Sequence, residues 1–552
     1  MTLDSFRKPP FNLDDAAIAW VRERLATLPL EDKARQLFNL RIANGYDEAS
    51  VAAIERFRPG GVTRAPGGDL AAEHRMLARL NAAAPLPLLV SADLEGSRMS
   101  LPGGTELPNP LGLAALDDIE VTRHVARIMA EEARAVGINW TFTPLLDVNA
   151  AWRSPIVATR GFGSDVATVE RHAVATLEEF QKLGVAAAVK HWPGEGYDDR
   201  DQHLVTTTNP LSMDAWELVF GRLYRAAIAA GVMSVMSAHI ALPAFVREVA
   251  GDVGLEAFRP ASMSRLLNEE LLRGRLGFDG LIVSDATSMS GLTGWANRRT
   301  QVIDMVAGGC DVILFSEDPA GDLAIVLDAL ASGAITAERL DEAVARILAM
   351  KAALGLHRPA DAVPFALATP DNRAIAEAAT KRMPTLVKDV QHTLPLDPQK
   401  HRRVLVITPG IINPWVPHPI PFAVPDLLRE HGFEVRIHQP GEPIEARDTD
   451  LILYLFGEET LMTRGRNFID WLKLMGDPIS AMHRYWHDIP TVMISFGYPY
   501  LLYDAPRVPT CINAYMTTET MQRAVVDLLL GNGQWNRHSP VDPFCGMEDA
   551  RY

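Results

Sequence analysis

The chain runs to 552 residues, with 53 Lys and Arg against 69 Asp and Glu for a formal charge of −16, and 48% of it is hydrophobic and 22% charged. This is ordinary globular composition, so a largely disordered chain is excluded, and the length predicts roughly two to four domains. The acidic balance argues against non-specific binding to nucleic acid or to an anionic membrane, while leaving room for a local cationic pocket. Three scattered cysteines, Cys310, Cys511 and Cys545, offer neither a disulfide framework nor a zinc site. No apolar signal-peptide core and no run of about 18 apolar residues is read, so a cytoplasmic setting without a membrane span is expected.

In chain order, short apolar runs fall at Pro59–Val62, Leu86–Ala92, Ile138–Leu145, Val185–Lys190, Val232–Ala238, Leu281–Ser284 and Asp311–Phe315. They are apolar on both faces, as buried parallel strands are. Helical patterns lie between them, including Ile119–Val136, Asp165–Leu183 and Pro260–Arg275. This rhythm predicts an α/β fold, a TIM-type (β/α) barrel over residues 1–357 closed by the helix Leu340–Leu356, with a doubly wound open sheet as the alternative. A linker is expected over 358–398, containing helical Ala374–Lys381. A smaller α/β sandwich follows over 399–552, with apolar runs Val404–Thr408, Val435–His438, Leu451–Phe456, Thr491–Phe496 and Cys511–Ala514.

Polar residues collect just after several of the first domain's strands: Asp93, Lys190, His191, His239 and Asp285. The C-terminal strand ends of such a barrel share one mouth, where active sites sit. Lys190-His191-Trp192-Pro193-Gly194-Glu195-Gly196 runs from strand into loop and is followed by Asp201-Gln202-His203. A carboxylate on one imidazole nitrogen fixes the tautomer and leaves the other nitrogen for proton transfer. The competing reading is a solvated charge run, Asp198-Asp199-Arg200-Asp201. Asp285 ends an apolar strand, where a carboxylate is costly unless paired or functional; it reads either as a helix N-cap or as a nucleophile.

These segments resemble glycoside hydrolase family 3, in its β-N-acetylglucosaminidase-type branch, whose pattern is K-H-F-P-G-H-G and then D-S-H. Ser284-Asp285 resembles the family's nucleophile motif, Asp93-Leu94-Glu95-Gly96-Ser97-Arg98 its D-x-E-G-G-R, and Arg160-Gly161-Phe162-Gly163-Ser164-Asp165 its R-x-F-G-x-D. Pro260–Ser264, Ala307–Asp311 and, in the second domain, Ser495–Leu501 with Ile512–Tyr515 also fit. The chain departs from the pattern at Glu195 (family His), Gln202 (Ser), Ser97 (Gly) and Ala286 (often Asp).

The resemblance implies a retaining β-glycoside-processing enzyme acting on β-glucosides or β-N-acetylglucosaminides. Asp285 would be the nucleophile, His203 the acid/base and Asp201 the residue orienting His203. Asp93, Arg160, Lys190 and His191 match positions that hold sugar hydroxyls, and Met289 flanks the pocket. Arg160 also reads as a salt-bridge anchor between loops, Lys190 as a partner of Asp285 or Asp147, and Arg98 as structural.

A histidine is neutral once it has given up its proton. A glutamate in that place would repel an incoming phosphate dianion by ~1 kcal/mol or more. The resemblance therefore permits inorganic phosphate as acceptor, with Lys190, Arg200, Arg464 and Arg466 as candidate phosphate contacts. Water is the alternative acceptor, a catalytically silent sugar-binding protein the alternative from another class, and a metal hydrolase on His191, His203, His239 and Asp285 the least favoured. No cofactor and no metal are expected, the partner is a small saccharide, and a homodimer is left open.

Overall fold

The structure, a computed structural model, describes residues 2–42, 47–64, 69–359, 364–414, 416–460 and 462–552. Eight strands, β1 (Phe38–Arg41), β2 (Gly61–Thr63), β3 (Leu89–Ala92), β4 (Trp140–Thr141), β5 (Ala186–Trp192), β6 (Ser234–Ser237), β7 (Leu281–Ala286) and β8 (Val312–Leu314), close into a parallel barrel in sequence order. The open sheet is thereby excluded. Strands such as β5 are buried along their whole length because helices cover the outside and side chains fill the inside. Asn39 Nδ2 donates to Ser91 Oγ at 3.0 Å across two strands, and Trp140 Nε1 donates to Ser234 Oγ at 2.8 Å, so the barrel interior is partly hydrogen-bonded.

Two of the long barrel helices, Ile119–Val136 and Val166–Lys182, start on acidic caps. Asp118 accepts from Val121 N and Asp165 from Thr168 N, and both helices bury one face against the strands. The pattern over Pro260–Arg275 resolves differently from the expected single helix. A short turn at Ala261–Met263 precedes a wide-turn helix at Leu266–Arg275. Ser262 is the cause: its N–H is taken by Ala238 O and its Oγ lies 2.9 Å from His239 Nδ1, so tertiary bonds override the helical pattern.

The second sheet has the order β9-β14-β13-β12-β10-β11, built from β9 (Thr385–Asp389), β10 (Arg403–Ile407), β11 (Glu434–Ile437), β12 (Leu451–Glu458), β13 (Thr491–Ser495) and β14 (Thr510–Asn513). A two-residue strand, Ile411–Ile412, pairs with β12. The stretch expected as a linker is not a bare connector: it carries a helix at Pro370–Thr380, and β9 pairs antiparallel with β14 at the sheet edge. The barrel helix Pro110–Leu116 lends Leu111, Ala115 and Leu116 to the core of the second domain, which fixes that domain over the barrel. No helix of the described residues is long and apolar enough to cross a membrane.

Candidate active site

The mouth is assembled by strand register. Ser237 on β6 lies opposite Ser284 on β7, so His239 and Asp285, just beyond, become neighbours. Asp285 is buried and its Oδ1 accepts from Ala286 N at 2.7 Å; Oδ2 has no hydrogen bond among the described residues. It does not cap the following turn, whose N-cap residue is Met289. Burial pushes the Asp285 carboxyl up, but the charges of His191, His239 and His203 and the Ala286 N–H outweigh it and hold the group below its ordinary value. His239 Nε2 donates to Ala286 O at 3.0 Å and its Nδ1 lies 2.9 Å from Ser262 Oγ, so both ring nitrogens are engaged by protein and neither is open to a metal.

His203 comes from the loop after β5. Its Nδ1 donates to Asp201 Oδ1 at 2.7 Å and its main-chain N–H reaches the same oxygen at 2.8 Å. The Nε2 edge is therefore the one available for proton transfer, and the side chain keeps 22% of its surface exposed at the mouth. The loop is tied to the turn after β7 because Ser290 N donates to His203 O at 2.9 Å. Asp201 is buried; burial raises its carboxyl, while the hydrogen bond and charge of His203 and the Thr463 N–H bring it below the usual range. The run 198–201 is only partly a solvated charge run: Asp198 pairs with Arg200 and accepts from Thr208 N at 2.9 Å.

Three of the sugar-binding candidates, Asp93, Lys190 and Arg160, form one network through Glu95. Lys190 Nζ lies 2.7 Å from Asp93 Oδ1 and 2.8 Å from Glu95 Oε1, rather than against Asp285 or Asp147. Arg160 clasps Glu95 with both Nε (2.8 Å) and Nη2 (2.9 Å), which is the loop-anchor reading of that residue, with Nη1 making only a 3.4 Å contact to Ile156 O. Burial opposes ionisation of Glu95, and the charges of Arg160 and Lys190 overcome it, keeping the carboxyl far below its usual range. Asp93 is 35% exposed and is the open acceptor of the group. His191 Nδ1 donates to Asp147 Oδ2 at 2.6 Å, and Asp147 Oδ1 accepts from the main chain of His191 and Glu195 at 2.9 and 3.1 Å. Met289 is buried at the end of the turn after β7.

Glu95 and Asp147 were not singled out from sequence as site residues. Glu95 stood in the quoted D-x-E-G segment and was the available signal; Asp147 was read only as a candidate partner of Lys190, and its contact with His191 had no signal beyond its place after a strand. Among the candidate phosphate contacts, Arg200 is taken by Asp198, Arg464 lies 3.1 Å from Glu458, and Arg466 is exposed. Glu195 is buried, and burial, then the charges of Asp147 and Asp198, push its carboxyl well above the ordinary value.

Residues 30–350 match the profile of the glycosyl hydrolase family 3 N-terminal domain. The chain belongs to glycosyl hydrolase family 3. Within the family it is 38% identical over 98% of its length to the beta-N-acetylglucosaminidase/beta-glucosidase of Cellulomonas fimi, covering 98% of that protein. The solved structure of beta-glucoside phosphorylase BglX superposes with a TM-score of 0.91 at 33% identity and 100% coverage of both chains. A family 3 beta-N-acetylglucosaminidase from Paenibacillus sp. superposes at 0.80 with 26% identity, over 94% of this chain and 100% of that one. The chain is thus an enzyme of this family, homologous to glycosidases and to a beta-glucoside phosphorylase.

Proposed function

We propose that the protein processes β-glucosides or β-N-acetylglucosaminides through a covalent glycosyl-enzyme and passes the sugar to inorganic phosphate. Asp285, ionised and with Oδ2 uncommitted, attacks the anomeric carbon while His203 Nε2 protonates the leaving oxygen. The same imidazole, then neutral, deprotonates the acceptor. Asp93 and the Nε2 edge of His191 receive the sugar hydroxyls, with Lys190 fixing Asp93. The reading needs no cofactor and takes phosphate as co-substrate; a cytoplasmic location, where phosphate is plentiful, fits it.

The observation that carries the proposal is the Asp201–His203 pair in the place where most retaining glycosidases set a carboxylic acid. After proton transfer it leaves no anion facing the acceptor, an advantage specific to an anionic acceptor. The likeness to a beta-glucoside phosphorylase over the whole chain supports the same acceptor. The second reading, water as acceptor, is favoured by the glycosidase name of the Cellulomonas fimi relative. Turnover of aryl β-glucoside and aryl β-N-acetylglucosaminide with and without millimolar phosphate separates them. Phosphate acceleration is expected, and a phosphate-independent rate for both substrates overturns the proposal.

A further inference from the structure

β12 leaves the second sheet at Glu458, and the chain beyond it runs onto the barrel. The buried Glu459 carboxyl accepts from Ser97 Oγ at 2.9 Å and Asn109 Nδ2 at 3.3 Å, both barrel residues, and from Thr517 N at 2.8 Å and Thr517 Oγ1 at 2.6 Å on its own side. Its main-chain carbonyl accepts from Thr159 Oγ1 at 2.7 Å. Farther on, Asn467 N and Nδ2 donate to the carbonyls of Arg153 and Ser154, each at 3.2 Å. Between these attachments the main-chain N–H of Thr463 donates to Asp201 Oδ2 at 2.7 Å.

Asp201 therefore has two differently supplied oxygens. Oδ1 is filled twice by His203; among the described residues, the hydrogen-bond donor to Oδ2 is a main-chain N–H of the second domain. Two backbone positions mark the same device. Ser97, where the family pattern has Gly, sits at φ 45, and Thr463, a β-branched residue, sits at φ 68. Left-handed backbone at such residues is kept only where its surroundings demand it. In both cases the group the strain presents, the Ser97 hydroxyl or the Thr463 N–H, spans the domain interface.

We propose that Ser97, Glu459 and the Thr463 N–H form a clamp through which the second domain positions the Asp201–His203 pair, so that proton donation to the leaving group depends on contacts across the interface. These are positioning residues. With Oδ2 held, the carboxylate cannot rotate away from Nδ1, and the imidazole stays aimed at the sugar. The inference rests on the proposed role of His203 as acid/base.

The test compares kcat/KM, which reports formation of the glycosyl-enzyme, for full-length wild type, Ser97→Gly, Glu459→Ala and His203→Gln. Two aryl glycosides of the preferred sugar are used: a 2,4-dinitrophenyl glycoside, which departs as a stable anion, and a phenyl glycoside, which needs a proton. Glu459→Ala is expected to lose about ten-fold or more on the phenyl substrate, Ser97→Gly about three-fold, and both to stay within about two-fold on the dinitrophenyl substrate. Ser97→Gly decides the matter should Glu459→Ala fail to fold, because glycine accepts φ 45 without strain. A selective loss in His203→Gln together with equal losses on both substrates, or none, in the clamp variants overturns the clamp. A non-selective His203→Gln instead overturns the acid/base reading beneath it.

Discussion

A carboxyl group at the end of a buried strand is costly to ionise, and Asp285 is ionised because three imidazoles and one N–H act on it more strongly than burial does. Glu195, on the loop between His191 and His203, is the reverse case: burial and the charges of Asp147 and Asp198 push its carboxyl well above the ordinary value. Its folded value is raised, so as pH climbs the unfolded chain loses this proton first. The group's stabilising contribution is then complete below the ordinary carboxyl range and lost as pH rises toward the folded value, with a slope of about 1.4 kcal/mol per pH unit. Glu195→Gln should therefore gain melting temperature over wild type at pH 8 and show a smaller gain at pH 5. A gain larger at pH 5 would contradict the upward shift. At this scale Asp285, Asp201 and His203 were legible, since each lies in a motif with a chemical reason for its spacing. Asp147 was not, because its role comes from three N–H groups that the fold brings to it from the next strand and loop. The partnership of Arg160 with Glu95 was equally hidden, since spacing along the chain does not report which of two carboxylates a guanidinium reaches.

Among the elements, β1 was missed and β4 overread. Phe38–Arg41 alternates apolar and polar residues, because Asn39 turns inward to bond Ser91. The apolar run at 138–145 yields only two strand residues; Pro144 has no N–H to give to a ladder. β8 opens on an ion cluster that no local pattern announced. Asp311, just before it, is buried and accepts from Arg273 Nη2 (2.8 Å), Arg339 Nη2 (2.8 Å), Arg346 Nη1 (3.2 Å) and Ile282 N (2.9 Å). Burial raises its carboxyl and the three guanidiniums lower it further, while burial and the neighbouring Arg346 bring Arg273 down to about 10. The cluster sits at the strand starts, opposite the mouth. Asp311→Ala takes from three guanidiniums the buried anion they share and should cost about 3–5 kcal/mol in denaturant unfolding, with kcat of the folded enzyme unchanged. A fall in kcat at unaltered stability would place the cluster in the wrong functional role.

At the scale of the whole molecule, the second domain reaches the barrel mouth, where Thr463 N donates to Asp201. The barrel and the smaller α/β domain were both readable from the periodicity of their apolar runs, but their docking was not. It depends on Leu111 and Leu116 of a barrel helix entering the second core and on Glu459 meeting Ser97, pairs separated by hundreds of residues. The proposed reaction is a double displacement ending on phosphate. Two inversions at the anomeric carbon return the starting configuration. The most direct measurement is NMR of the first product formed from a β-glycoside in millimolar phosphate, taken before mutarotation or hydrolysis. The expected product is a sugar 1-phosphate of β configuration; an α-configured phosphate, or free sugar as the sole product, would contradict double displacement onto phosphate.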